Sequence, residues 1–231
     1  VWALTEAGAI QYKFDPGANT FDNPIQFSPQ DGLVDATVNA VITDNNCALF
    51  VQDGSNASEC KIFGTDSGIS MSVKLDGYST DSWQNYRSGS STGLPAGPIT
   101  VLRWLNRTAI DDAGNSITLN QLLVGTESNG MAVCRKSRIA SANFDRGIPT
   151  KLECTAYNLS THLDFPDNSI NDFEIDNRDR LWVATGRANI TQSGYGGIGV
   201  AVYNFSSEEW DWDWSEGGNS SDLLPFRVAE S

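Results

Sequence analysis

The chain has 231 residues, 39% of them apolar, with 21 glycines and 8 prolines, which is enough for one substantial domain. Its 29 acidic and 15 basic residues leave a net charge of −14, which disfavours DNA, RNA or an anionic membrane surface as a partner. No apolar run approaches the ~20 residues of a membrane-spanning helix, and an opening at Val1 with no initiator Met or leader leads us to expect a mature product or an excised segment.

In chain order, the periodicity predicts short strands throughout and no helix. Val1-Trp-Ala-Leu-Thr5 and Gly8–Tyr12 are followed by the turn Asp15-Pro-Gly-Ala-Asn19 and an outer strand at Phe21–Phe27, where Pro24 is tolerable at an edge. The next group is Thr37–Thr43, the polar turn Asp44-Asn45-Asn46, Leu49–Asp53, Gly68–Val73 and Ser82–Arg87. Ser88–Pro98 reads as a surface connection. A third group has Ile99–Leu105, the acidic turn Asp111–Ser116, Leu122–Thr126, Gly130–Cys134 and Leu152–Tyr157, with a small basic patch at Arg135, Lys136 and Arg138 that reads as a solvated face. The last has Ser169–Ile175, a polar turn, Leu181-Trp-Val-Ala-Thr185, Gly197–Tyr203 and Glu209–Trp214, in which Trp210, Trp212 and Trp214 alternate with acidic residues.

These groups repeat one order of features. Leu181–Thr185 matches Val1–Thr5, Leu49–Asp53 and Leu122–Thr126, and a glycine opens each strand that follows, at Gly8, Gly68, Gly130 and Gly197. Four antiparallel strands in about 45 residues is the size of one propeller blade. The pattern, sharpest in Ile170–Phe205, resembles the propellers of bacterial two-component sensors, with their Asp-rich turn, Leu-Trp-x-x-Thr strand and Gly-rich third strand. The resemblance implies an all-β, four-bladed β-propeller in one domain, residues 1–231. Blade one would take 1–35 plus 224–231, blade two 36–98, blade three 99–168 and blade four 169–223. The alternative is a β-sandwich with similar turn spacing. Val1-Trp2 stands where Leu181-Trp182 stands in blade four, so blade one lacks a first strand. Phe226–Glu230 has the alternation of one, and Phe226 and Val228 are expected to pair against Val1 and Trp2, completing the N-terminal blade.

Six N-glycosylation sequons begin at Asn56, Asn106, Asn158, Asn189, Asn204 and Asn219, where chance gives about three. All six fall in turns, loops or strand ends on this reading. Two local disulfides, Cys47–Cys60 and Cys134–Cys154, fit within single blades, with four free buried thiols as the alternative. Both signals indicate a secreted, extracellular or cell-surface protein.

A chemical constellation is harder to find. His162 is the lone histidine, and no nucleophile elbow accompanies it. Asp176–Asp179 and Asp111–Asn115 lack the spaced ligands of a calcium loop. We therefore expect no catalytic residues, no metal and no cofactor. The expected function is a non-enzymatic structural glycoprotein that assembles with itself, or with other extracellular glycoproteins, into a filament, coat or matrix. Trp210, Trp212 and Trp214 form the candidate interaction strand, an exposed aromatic platform for sugar or a partner subunit, with packing against the next blade or the domain's own glycans as the favoured alternative. The alternative is a ligand- or glycan-binding propeller, lectin-like or sensory.

Overall fold

The computed structural model describes residues 1–44, 51–52, 57–78, 80–89, 93–110, 114, 116–135, 139–140, 144–145, 147–162, 165, 167–176, 180–186, 198–204, 207 and 209–212. The protein is all-β, and every strand pairing among these residues is antiparallel. In the first sheet β1 (Trp2–Thr5) pairs with β2 (Gly8–Gln11). A small hairpin of β3 (Phe14–Asp15) and β4 (Thr20–Phe21) then precedes β5 (Ile25–Phe27), which lies on the other side of β2. The second sheet is a four-stranded meander of β6 (Val38–Asp44), β7 (Ala57–Thr65), β8 (Gly68–Leu75) and β9 (Ser82–Arg87). The third contains β10 (Ile99–Ile110), β11 (Ser116–Thr126) and β12 (Met131–Arg135). The hairpin of β13 (Phe144–Asp145) and β14 (Ile148–Pro149) intervenes before its last strand, β15 (Cys154–Tyr157). The fourth is β16 (Ile170–Ile175), β17 (Arg180–Thr185), β18 (Ile198–Asn204) and β19 (Glu209–Trp212).

The same local devices recur from sheet to sheet. Thr5, Thr65 and Thr126 each end a strand and donate their hydroxyl to the carbonyl of Gly8, Gly68 and Gly130, at 2.9, 2.9 and 2.7 Å. The same oxygens accept the N–H of Ala7, Ser67 and Asn129, so one threonine closes each hairpin. The three glycines have φ of +125°, +137° and +83°, and a Cβ on any of them would lie 2.0–2.2 Å from the carbonyl oxygen of Phe27, Tyr86 or Tyr157. Only glycine meets both demands. In the first strands the register slips once, between Val38 and Ala40, Ile99 and Val101, and Ile170 and Asp172. The bulged residues Asn39, Thr100 and Asn171 each donate a side-chain hydrogen bond across a turn or to the adjoining sheet, to Asp66 Oδ1, Ile170 O and Gly186 O at 2.8–2.9 Å.

Consecutive sheets pack face to face. One apolar cluster joins the first and second sheets through Phe27, Val38 and Phe63, with Trp2 and Trp83 against it. A second, including Ile62, Ile69, Met71, Ile99, Leu122 and Val124, joins the second and third. A third, including Leu123, Met131, Tyr157, Phe173, Leu181 and Trp210, joins the third and fourth. Glycine sets the spacing: a Cβ on Gly64 would stand 2.7 Å from Ile99 Cγ2, and one on Gly125 2.6 Å from Ile170 Cγ2. Each fully buried side chain of this kind contributes roughly 1.5–3 kcal/mol of transfer free energy.

Three strand expectations need correction. The second strand of the second sheet is β7, not Leu49–Asp53. Val51 of that run is buried in the core outside any strand, and Gln52 N donates to Gly147 O at 2.8 Å. The Phe21–Phe27 strand is split into β4 and β5, because Pro24 supplies no N–H to a ladder and Phe21 pairs with Phe14 instead. The β10–β11 ladder also runs past Leu105 and Leu122, out to Ile110 paired with Ser116.

Asp35 anchors the entry to β6. Its carboxylate accepts the Thr37 N–H at 3.0 Å and the Ser67 hydroxyl, and these bonds, that of Ser67 foremost, hold its pKa below the ordinary 3.8. The stabilisation is therefore complete above pH 3.8 and is lost as pH falls through the lower folded-state value. An Asp35→Asn variant should lack this acid-range loss, with the two stability curves converging at low pH in urea titrations. Gly68→Ala should cost more than about 3 kcal/mol by the same method, from clash added to left-handed strain, against about 1 kcal/mol for Gly77→Ala. Gly77 has a similar φ of +83° and open space around it.

Candidate functional site

The disulfide is built directly from strand register. Cys134 in β12 stands opposite Cys154 in β15, with Cα atoms 4.0 Å apart, and the two are bridged. Cys60 lies within β7, not in the loop expected for it, and is also disulfide-bonded; Cys47 lies outside the described residues. Of the sequons, Asn106 sits in the exposed part of β10 and not in a turn, since that strand is longer than expected. Asn158 opens the turn after β15, where its Oδ1 accepts the N–H of Ser160 and Thr161 at 2.8 and 3.1 Å. Asn204 ends β18, donates from Nδ2 to Asp211 Oδ2 at 2.7 Å and accepts from Ser207 N at 3.1 Å. Asn56, Asn189 and Asn219 lie outside the described residues.

The tryptophan strand does not expose Trp210. Its side chain is 2% accessible, its Nε1 donates to Gln121 Oε1 at 2.9 Å, and its ring meets Tyr203 edge-on at 5.4 Å. Its backbone N–H also reaches the Tyr157 hydroxyl at 3.3 Å. The apolar face of β19 is therefore consumed at this position by packing on the third sheet. Of Trp212 the structure describes the backbone, paired with Ala201, and Trp214 lies outside the described residues.

Side chains with catalytic potential are committed to local structure. Asp176 accepts Arg180 N, Nε and Nη2 and also Trp182 Nε1, at 2.7–3.1 Å, so this carboxylate orders the β16–β17 turn. His162 Nδ1 lies 2.9 Å from Thr161 Oγ1 and its ring 4.9 Å from that of Tyr157, and no carboxylate hydrogen-bonds to it among the described residues. Asp31, beside an open depression that Glu6 also lines, accepts Ser28 N and Oγ. Burial holds the Tyr86 hydroxyl neutral far above its usual range while it donates to Pro149 O at 2.5 Å. Among the described residues no cluster of His, Cys, Asp and Glu is arranged to hold a metal, and no helix is long and apolar enough to cross a membrane.

Two features stand out instead. The first is an apolar surface on the first sheet and its hairpin: Val1, Leu4, Phe14, Phe21 and Ile25 are all exposed, and they are five of the eight large exposed hydrophobic residues among those described. Here the N-terminal ammonium donates to Tyr12 O at 2.9 Å, and Trp2 packs on Phe27 and Phe63 at 5.5 and 5.7 Å. Phe226 and Val228, the expected partners of Val1 and Trp2, lie outside the described residues. The second is Arg135. Read from sequence as part of a solvated patch with Lys136 and Arg138, it is 3% exposed, with its guanidinium carbon 5.6 Å from the Tyr203 ring centroid. Its Nε, Nη1 and Nη2 are buried without a hydrogen-bond acceptor among the described residues.

The chain is similar to the extracellular domain of a putative one-component system of B. thetaiotaomicron, at 15% identity and a TM-score of 0.27. The match covers 91% of this chain and 35% of that one, so the chain spans about a third of that neighbour's length. No protein-family model matches the sequence, and no curated protein matches it.

The Cys134–Cys154 bridge closes a short loop, with a sequence separation of 20. Loop-closure entropy makes it worth about 3 kcal/mol. The Cys134→Ala/Cys154→Ala double variant is expected to lose that much in chemical denaturation, with β-sheet circular dichroism retained.

Proposed function

We propose that this is a non-enzymatic, extracellular structural glycoprotein built as a four-bladed β-propeller, which assembles with copies of itself. The observation that carries the reading is the edge of β1. Three sheets have four strands; the first has three among the described residues, and β1 pairs with β2 alone. An open edge offers unpaired N–H and C=O groups as a template for another strand. Exposed Val1 and Leu4 lie at the start of this edge strand and within it.

The recurrence of hairpin, bulge and glycine contact in successive sheets supports the propeller. Repeating one packing step turns each sheet about a common axis, and β10 already lies against β6 on one side and β16 on the other. In this reading Phe226–Glu230 supplies the missing strand against Val1–Thr5. Within one molecule the strand closes the ring; donated between molecules it links copies head to tail. The disulfide and the surface positions of Asn106, Asn158 and Asn204 support an oxidising, glycosylating compartment.

A second reading, a ligand-binding propeller, has the buried guanidinium of Arg135 in its favour. The structural reading is tested by deleting residues 224–231 and examining native and truncated protein by electron microscopy and thermal unfolding. The truncated protein should unfold several degrees lower and form no higher assembly; unchanged stability and assembly would refute strand completion.

A further inference from the structure

Buried charge is handled in two different ways in this protein. Lys61 is as deeply buried as Arg135, yet its ammonium lies 3.1 Å from Glu59 and 3.5 Å from Asp81, over the Phe27 ring. Arg135 has no such partner among the described residues. Its backbone N–H donates to Glu153 O at 3.2 Å, but the Glu153 carboxylate turns away to Lys151 Nζ at 2.5 Å. Burying a guanidinium without a counter-charge is costly, since it gives up its hydration with nothing in exchange, and a fold's net stability is small enough for that cost to matter.

The repeat shows that the fold does not require a charge at this place. Counted from the Thr65–Gly68 and Thr126–Gly130 hairpins, the cross-strand pair Gln121–Arg135 of the third sheet corresponds to Cys60–Val73 of the second. Cys60 and Val73 are buried in an ordinary apolar core. In the third sheet the same pair of positions faces the fourth sheet with an amide and a guanidinium. Around them Tyr203 gives a ring face, Trp210 ties its indole N–H to Gln121 Oε1, and the Tyr157 hydroxyl meets the Trp210 N–H. Arg135 is also the last residue of β12 and stands opposite Gln121, midway along β11.

We propose that Arg135 is the anchor of a binding site between the third and fourth sheets for a small organic acid carrying one carboxylate. A guanidinium presents a planar fork of N–H donors that matches a carboxylate in two parallel hydrogen bonds. One buried cation balances one negative charge; a phosphate, carrying ≈ −1.5 to −2, would leave a buried excess. Tyr203 and Trp210, members of the apolar cluster between these sheets, would flank the body of the acid. The site is separate from the β1 edge, so its failure would leave the assembly reading untouched.

The test uses the full chain and sodium phenylacetate as the probe, with sodium chloride and sodium phosphate at matched ionic strength. Phenylacetate should raise the unfolding temperature progressively, the stabilisation growing with the logarithm of its concentration above Kd and the folding equilibrium shifting by about a factor of 100 when the probe stands at 100 times its Kd. Arg135→Met should show no response and should unfold at or above the temperature of the unliganded wild type, since it removes an unpaired buried charge. Arg135→Lys, which keeps the charge and loses the fork, should bind at least about tenfold more weakly. A wild type without that concentration-dependent rise overturns the proposal, as does an equal response in Arg135→Met. An equal rise with chloride or phosphate means an adventitious ion only and also overturns it. Arg135→Met unfolding well below the wild type, or not folding, would place the counter-charge within the chain itself and overturn it as well.

Discussion

The distance between sheets is set where side chains are missing. At Gly64 and Gly125 the backbone of one sheet lies so close to Ile99 or Ile170, opening the first strand of the next, that even a methyl group would collide. Both glycines sit one residue before the threonine that closes the following hairpin, Thr65 or Thr126. Close approach and hairpin closure are thus coupled within two residues. The threonine fixes the turn, the turn places Gly68 or Gly130 against the outermost strand, and the preceding glycine admits the next sheet. The β-bulges at Thr100 and Asn171 fall on the strands that receive these contacts, and each donates a side-chain hydrogen bond beside them. Bulged strands bend and twist, which lets a stack of sheets fan around an axis instead of lying as parallel layers.

Around this frame the interfaces differ in chemistry. The first and second sheets meet through aromatic rings, with Phe63 stacked on Trp83 at 5.8 Å and Lys61 held between carboxylates over Phe27. The second and third meet through aliphatic side chains. The third and fourth carry the buried polar set of Gln121, Arg135, Tyr157, Tyr203 and Trp210. A divergent repeat behaves this way: its scaffold positions are constrained by backbone geometry, and its interface positions are free to acquire a local role.

What the sequence made legible follows the same division. Backbone demands leave signatures, and the glycines opening the third strands and the Leu-Trp-x-x-Thr pattern placed most hairpins correctly. The Leu49–Asp53 run misled because a residue buried outside any strand, as Val51 is, has the same apolar character as one within a ladder. The better guide was Thr65-x-x-Gly68, whose hydroxyl does in β7 what those of Thr5 and Thr126 do elsewhere. Alternation put Trp210 on one face of its strand, but alternation does not say whether that face is covered. Arg135 was the least legible. Beside Lys136 and Arg138 its charge reads as surface, and only the register of β12 against β11 turns it inward.

We propose that one packing step, repeated from sheet to sheet, brings the fourth sheet round to the first. An electron cryo-microscopy density map of the protein from its native source, at a resolution that separates strands, tests this most directly. The account predicts four sheets about a common axis, with a strand from the C-terminal segment hydrogen-bonded along Val1–Thr5 and β16 beside it. Two facing sheets of a sandwich, or an arc of sheets in which the β1 edge pairs with nothing, would contradict it.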